Sequence, residues 1–439
     1  MMKARSGLDR LDTQVAAAVP DRRAPALPLA ALAVVAAGVS AALHLGKLPP
    51  AVPALREALG IDLVQAGFLL SLVQVAGMTL GLLAGLMADA IGLRRSMLTG
   101  LAILTLASAL GACVEPGPHA LNWLLALRAV EGVGFLLAVM PGPGLVRALV
   151  PPGADKAALG LWGAYMPLGV ALALLVGAPW IQRWHWPSWW LGMAGVSAMA
   201  LLFVRLAVPS DAVRGRAAVV SRQPATPISV PARLRLTLGS AGPRTLGLAF
   251  AVYSAQWMAV IGFLPAIYAE AGVAAAWAGL LTCAAAAANI VGNVAGGRLL
   301  HRGVRPERLL RWGYGVMLAG GVAAFARWGH GEAALSLPPA VRYVAVCLFS
   351  LAGGMVPATL FTLSVRLAPS GNTVSTTVGL MQQTSSLGQF VAPPLVAWLA
   401  LYAGGWHWTW VATVACSLVG MVAAGRLAVL RLQCAEPMP

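Results

Sequence analysis

Long apolar runs broken by short polar segments dominate the chain, and their lengths predict helices that cross a membrane. Runs rich in Ala, Val, Leu and Gly occupy residues 27–57, 63–89, 97–115, 122–146, 157–181, 188–208, 244–269, 274–298, 309–327, 340–365, 374–401 and 406–430. A helix needs ~20 apolar residues to cross ~30 Å of hydrocarbon, and these runs match that length. They predict an all-α membrane protein of 12 transmembrane helices. Residues 209–243 interrupt the pattern with Arg, Pro and Ser and predict an interdomain linker. The expected layout is a tail at 1–26, a six-helix bundle at 27–208, the linker, a second bundle at 244–430 and a tail at 431–439.

The two bundles repeat one another. Gly160-Leu161 and Leu168-Gly169 recur 219 positions later as Gly379-Leu380 and Leu387-Gly388, and Val146-Arg147 recurs at the same offset as Val365-Arg366. Ala66-Gly67 and Leu69 return as Ala278-Gly279 and Leu281, shifted by 212. Three matches in one order along the chain indicate duplication. Parallel duplicated halves, with a solute site between them, are one established transporter plan.

Composition agrees and charge adds orientation. Apolar residues make up 59% of the chain and charged residues 10%, whereas soluble domains carry ~25% charged residues. The net charge of +16 is not a nucleic-acid footprint, because the basic residues lie almost wholly on alternate connections. Lys3, Arg5, Arg10, Arg22 and Arg23 precede the first span, and clusters follow at Arg94-Arg95, Arg214–Arg244 and Arg298–Arg311. The intervening connections carry only Arg56, Arg183, Arg327 and Arg342. The positive-inside rule then places both termini in the cytoplasm of a bacterial-type inner membrane. The stretch before Leu27 lacks a signal-peptide cleavage pattern, so the first helix is expected to remain in the mature protein. Cys113, Cys283, Cys347, Cys416 and Cys434 show no metal-binding spacing and read as free thiols. HExxH and GxSxG are absent and the six histidines are scattered, so neither an enzyme, a metal nor a cofactor is expected.

Polar residues inside the spans are costly there and mark candidate sites. His44 and Lys47 lie three apart on the first helix and suit attraction of an anion; the alternative for Lys47 is a side chain snorkelling to the membrane surface. Arg128 and Glu131 on the fourth helix suit an intrahelical ion pair, with Glu131 the leading candidate for proton coupling. Further candidates for a central polar cavity are Tyr165, Tyr253, Gln256, Trp257, Asn289 and Asn293. The eleventh helix adds Gln382, Gln383 and Gln389. Such amides bind polar solutes and equally well join helices to one another.

Gly85-x-x-x-Asp89-x-x-Gly92-x-Arg94-Arg95 and Arg128-x-x-Glu131-Gly132-x-Gly134 resemble two signatures of the major facilitator superfamily. The resemblance implies that Gly85, Asp89, Gly92, Arg94 and Arg95 form a cytoplasmic gate. Leu159-Gly-Leu-Trp-Gly-Ala, Thr245-Leu-Gly-Leu and Phe263-Leu-Pro-Ala-Ile-Tyr268 are similar to the cyanate/nitroimidazole (CynX/NimT-type) branch. That branch carries an arginine in its first helix where this chain reads His44-Leu45-Gly46-Lys47, so the anion is not carried over with the resemblance. The expectation is a monomeric secondary or facilitative transporter of a small polar or anionic solute, working by alternating access across the lipid bilayer and coupled or not to protons. A proton-driven exporter of toxic compounds and a non-transporting membrane sensor are the alternatives.

Overall fold

The computed structural model describes residues 28–82, 92–151, 158, 161–210, 229–327, 336–370 and 373–433. The N-terminal tail, Gly85 and Asp89, residues 211–228 of the expected linker, and Cys434 lie outside the described residues.

Within the described residues, each of the twelve expected spans falls largely on helix. They are α1 (Leu29–Leu59), α2 (Leu63–Leu82), α3 (Leu93–Ala112) and α4 (Ala120–Leu149). Next come α5 and α6, which share the stretch Tyr165–Ala207. The second half holds α7 (Ala241–Glu270), α8 (Ala275–His301), α9 (Pro306–Phe325), α10 (Pro339–Leu367), α11 (Val374–Tyr402) and α12 (Thr409–Gln433). Nine helical stretches among the described residues are long and apolar enough to cross a bilayer. One of these nine is the 43-residue α5–α6 stretch, and the more polar α9 and α11 complete the set. A straight helix of that length would be ~65 Å long, twice the hydrocarbon thickness. It turns back instead at His185, whose φ of 62° breaks the helix into 165–184 and 186–207. Inside the expected linker, Val230–Gly239 forms a short helix before α7.

Helix α1 is bent at mid-length for a chemical reason. Pro49 and Pro50 have no amide hydrogens for the carbonyls of Leu45 and Gly46, so the helix ends at Gly46 and resumes at Val52 after a single 3-10 turn. Gly60, at φ 64°, closes α1, and Asp62 with Gln65 forms a capping box that starts α2.

Outward faces carry Leu106, Trp123, Leu206, Val291 and Val422, apolar side chains suited to lipid. Helices inside each half approach closely at glycine. A Cβ on Gly132 of α4 would strike the Val73 carbonyl of α2, and one on Gly354 of α10 would strike the Asn289 backbone of α8. The halves meet along α2 and α11, where Gly67 faces Pro394 and Gly81 faces Gln383. They meet again where Gly279 of α8 faces Leu174 of α5. Between them, Leu45, Val73, Val170 and Leu174 join Val260, Ile261 and Leu264 in one apolar cluster. At the distal end, where α1 turns into α2 and α3 into α4, Arg56 reaches Glu270 across the halves at 3.3 Å.

Candidate functional site

The break in α1 organises the most highly charged place in the described membrane interior. Where α1 stops, the carbonyls of His44 and Lys47 have no helical partner, because the amides that would serve them lie in the turn. Arg128 Nη1 of α4 donates to the His44 carbonyl at 2.9 Å, and Trp189 Nε1 of α6 donates to that of Lys47 at 3.0 Å. A helix end of this kind carries about −0.5 charge, which attracts cations. Two are present, Lys47 and Arg128, and both are buried.

Glu131 lies between them. Its Oε2 accepts from Arg128 Nη1 at 2.5 Å, and its Oε1 accepts from Lys47 Nζ. Lys47 also donates to Ser108 Oγ of α3 at 3.0 Å and sits 4.8 Å from the Trp190 ring of α6. Ser108 passes its own hydrogen to the Trp190 carbonyl. Arg128 Nε donates to the Leu69 carbonyl of α2 at 3.1 Å, leaving Nη2 buried without a hydrogen-bond partner. His44 Nε2 lies 2.7 Å from Ser197 Oγ of α6, which is 3.2 Å from Ser40 Oγ, while Nδ1 is 3.5 Å from Glu131 Oε1. Five helices of the first half are thus tied at one point. With two cations and one carboxylate, the fully ionised cluster carries one surplus positive charge. The surface-snorkelling alternative for Lys47 is excluded, because its side chain is 0% exposed.

The second half has a corresponding network without charge. Asn289 Nδ2 of α8 donates to Tyr253 Oη of α7 at 3.0 Å and to the Ser350 carbonyl of α10 at 2.9 Å. Trp257 Nε1 donates to Ser350 Oγ at 3.0 Å. Gln256 Oε1 accepts from Ser417 Oγ of α12, and its Nε2 is buried and unpartnered. The sequence offsets relate the two networks. Gln256 stands 212 positions after His44, Ser417 stands 220 after Ser197, and Ser350 stands 219 after Glu131. In each half the first helix reaches a serine on the sixth and a polar group on the fourth.

A third group bridges the halves. Gln74 Nε2 of α2 donates to Gln389 Oε1 of α11 at 3.1 Å, and Gln389 Nε2 donates to Ser385 Oγ, which is 2.6 Å from Ser254 Oγ. Gln383 Nε2 donates to the Met78 carbonyl at 2.8 Å, and its Oε1 is buried without a partner.

The candidate residues therefore assemble as three groups, where sequence reasoning placed them around one cavity. Polar groups in hydrocarbon satisfy one another locally, the first two groups within their own halves and the third across them. Asn293 and Gln382 are half-buried, and Tyr165 stacks on Trp162 with ring centroids 4.7 Å apart. Gly92 takes φ 97° at the start of α3, and Arg94 Nη2 donates to the Arg205 carbonyl at the end of α6. A groove of about 490 Å³ at the α3–α4 turn, lined by Glu115, His119 and Trp123, lies apart from all three groups. Sequence reasoning missed Ser108, Ser197, Ser350 and Ser417. A lone serine in an apolar span is common, and only its partner distinguishes it. Gln74 had a visible signal, an amide inside a span.

Comparison with known proteins agrees with this architecture. The family model described as Major Facilitator Superfamily matches residues 30–378. The puromycin resistance protein pur8 of Streptomyces alboniger is 35% identical over 171 residues, which are 38% of this chain and 32% of that protein. The match thus spans about a third of the length of that curated relative. A bacterial homolog to the human lysosomal transporter Spinster, solved in an inward-facing and occupied conformation, superposes with TM-score 0.67 at 16% identity. It covers 93% of this chain and 98% of its own. The same homolog in an inward-facing and unoccupied conformation gives TM-score 0.66 at 16% identity, over 94% and 99%. At that identity the likeness is one of fold. With the family match, the duplicated helices and the shared architecture together, the chain belongs to the Major Facilitator Superfamily of membrane transporters.

Proposed function

We propose that the protein is a secondary transporter that carries a small polar or anionic solute between its halves as they rock open to alternate sides of an inner membrane. The observation that carries the reading is the buried Lys47–Glu131–Arg128 cluster at the break of α1, which holds a surplus positive charge and reaches the α2 helix shared with the second half. Tyr253, Trp257, Asn289 and the α11 glutamines supply neutral hydrogen bonds from the other side. The basic connections support cytoplasmic termini and an extracytoplasmic Arg56–Glu270 end, and the resemblance of the signature supports Gly85, Asp89, Gly92, Arg94 and Arg95 as a cytoplasmic gate. The CynX/NimT-type segments favour a small solute over a bulky one. The test is flux into proteoliposomes from a panel of small monoanions, neutral amides and nitroimidazoles. Uptake selective for one class supports the proposal, and no flux of any member with folded protein removes it.

A second reading, a proton-driven exporter of toxic compounds, is favoured by the partial match to a puromycin resistance protein. Puromycin efflux from loaded vesicles, driven by an imposed pH gradient, distinguishes the two.

A further inference from the structure

Proton-coupled opening needs a titratable group beside the parts that move, and the buried cluster at the α1 break holds three charges from which to choose. Arginine does not give up its proton in proteins, which leaves the other two groups. Glu131 lies between two cations, so protonating it would leave both buried without a counter-charge. Removing the proton from Lys47 has the opposite effect. It leaves Glu131 paired with Arg128 and reduces the cluster from one surplus positive charge to none. Lysine is also the cation whose protonation responds most readily to burial. Every element packed on Lys47 fits this assignment. The titratable or charged groups around it are Glu131 and Arg128 from α4 and His44 from its own helix, while α3 and α6 present Ser108 and the Trp190 ring.

Position supplies the coupling. Lys47 is the first residue beyond the helical part of α1, and the segment Val52–Leu59 beyond the break carries Arg56. Arg56 holds Glu270 of the second half, and Glu270 also accepts from Trp406 Nε1 at 2.7 Å. A charged Lys47 pins the break to α3, α4 and α6; a neutral one gives up the ion pair and the ring contact, and frees the segment that bears the distal latch.

Resting on the transporter reading above, we propose that Lys47 is the proton-exchanging group, with Glu131 as its fixed counter-ion, and that its deprotonation releases the Arg56–Glu270 latch. In the step, one N–H bond of the ammonium breaks, the electron pair stays on Nζ, and a water that reaches the cluster before the latch opens takes the proton as hydronium. The assignment moves the coupling role from the carboxylate, where sequence reasoning placed it, to its partner.

The test reads opening directly and needs no solute. Leu70, buried against Gly262 across the halves, is replaced by cysteine in full-length protein whose five native cysteines have been replaced. Labelling by an impermeant maleimide applied to the distal side of proteoliposomes is followed from pH 6 to pH 10, and the rates are corrected for the known pH dependence of the reagent with a free thiol. The corrected rate of the parent is expected to rise at least about tenfold over that range. Lys47→Arg, which keeps its charge, is expected to stay slow and flat. Glu131→Gln is expected to keep the step at lower pH, because the carboxylate that favours the charged lysine is gone. A flat parent overturns the proposal, as does a Lys47→Arg variant that keeps the step while Glu131→Gln loses it. Loss of the step in His44→Gln would give the proton to the imidazole and equally overturn it. Because no solute enters the readout, a flat profile alongside measurable flux sinks only the lysine assignment. Absent flux with an intact step sinks only the transport reading.

Discussion

Replacing Glu131 with serine and Lys47 with alanine, singly and together, tests whether the first-half cluster is an interdependent ionic unit. These are the residue types at the equivalent places in the second half, Ser350 and Ala259. Glu131→Ser removes the carboxylate that both cations share, raising the surplus charge from one to two in a site where all three side chains are at most 2% exposed. Breaking a buried pair by removing one partner costs about 3–5 kcal/mol. Lys47→Ala leaves Glu131 bonded to Arg128 and lowers the surplus to zero, so its cost is that of one charge-assisted hydrogen bond and some packing, about 1.5–3 kcal/mol. In the serine background the alanine change removes a repelling cation and becomes stabilising. The pair should therefore couple by at least about 2 kcal/mol, well outside the ~0.5 kcal/mol scatter of independent sites. Unfolding in mixed micelles with increasing dodecyl sulfate, followed by tryptophan fluorescence, reads all four corners of the cycle. Trp189 and Trp190 touch the cluster and report its loss. If the two changes add, or if Lys47→Ala costs more than Glu131→Ser, the electrostatic account of the cluster is wrong.

Arg56→Ala is expected to change stability by less than about 1 kcal/mol, because the ion pair is exposed, yet to speed maleimide labelling of a cysteine at Leu70. Raising salt to ~1 M should reproduce part of that effect in the parent, since exposed pairs are screened. Asn289→Leu leaves Tyr253 Oη and the Ser350 carbonyl short of a donor, which should cost about 1–3 kcal/mol in the same micelle titration. Gly132→Leu and Gly354→Val place side chains against backbone atoms that cannot move aside, and size-exclusion chromatography should show loss of monodisperse protein.

Helix positions were legible because hydrophobic length is a strong signal in membranes, and the exceptions have physical causes. The α5–α6 stretch reads as two spans in sequence and forms two helices, 165–184 and 186–207, parted at the positive-φ residue His185 with Pro187 two places on and with no long polar loop between them. Residues 230–239 read as linker because Arg233 and Arg235 suppress the apolar pattern, although the backbone there is helical. The Arg128–Glu131 pair followed from helical spacing alone. The link from Lys47 to Glu131 did not, because it joins residues 84 apart and depends on the crossing of α1 with α4. Nor could spacing separate amides that face a partner from amides that face a solute. Gln389 and Gln256 look alike in sequence, yet one bridges the halves and the other joins α7 to α12.

The pseudo-symmetry of the two halves bears on what the charges are for. Both halves tie their first helix to their sixth through serine, by His44–Ser197 and Gln256–Ser417. Both also join their first helix to their fourth, by Lys47–Glu131 and Trp257–Ser350. The second half makes these joins with neutral groups and is no less packed for it: Tyr314, Phe349 and Val356 around them are fully buried. The helical framework therefore does not require ions at this position. Yet the first half holds three, and each central charge costs ~2.5–3.5 kcal/mol to place in a membrane before pairing recovers some of it. A device that responds to charge gains nothing from neutral joins. It needs one bundle in which protonation alters the bonding between helices and another that keeps its shape meanwhile. The ionic joins meet at the proline break of α1 and at α4, whose Arg128 grips the α2 carbonyl of Leu69 one residue from the Leu70–Gly262 contact between the halves. A change of charge there acts on the surface along which the two bundles must part.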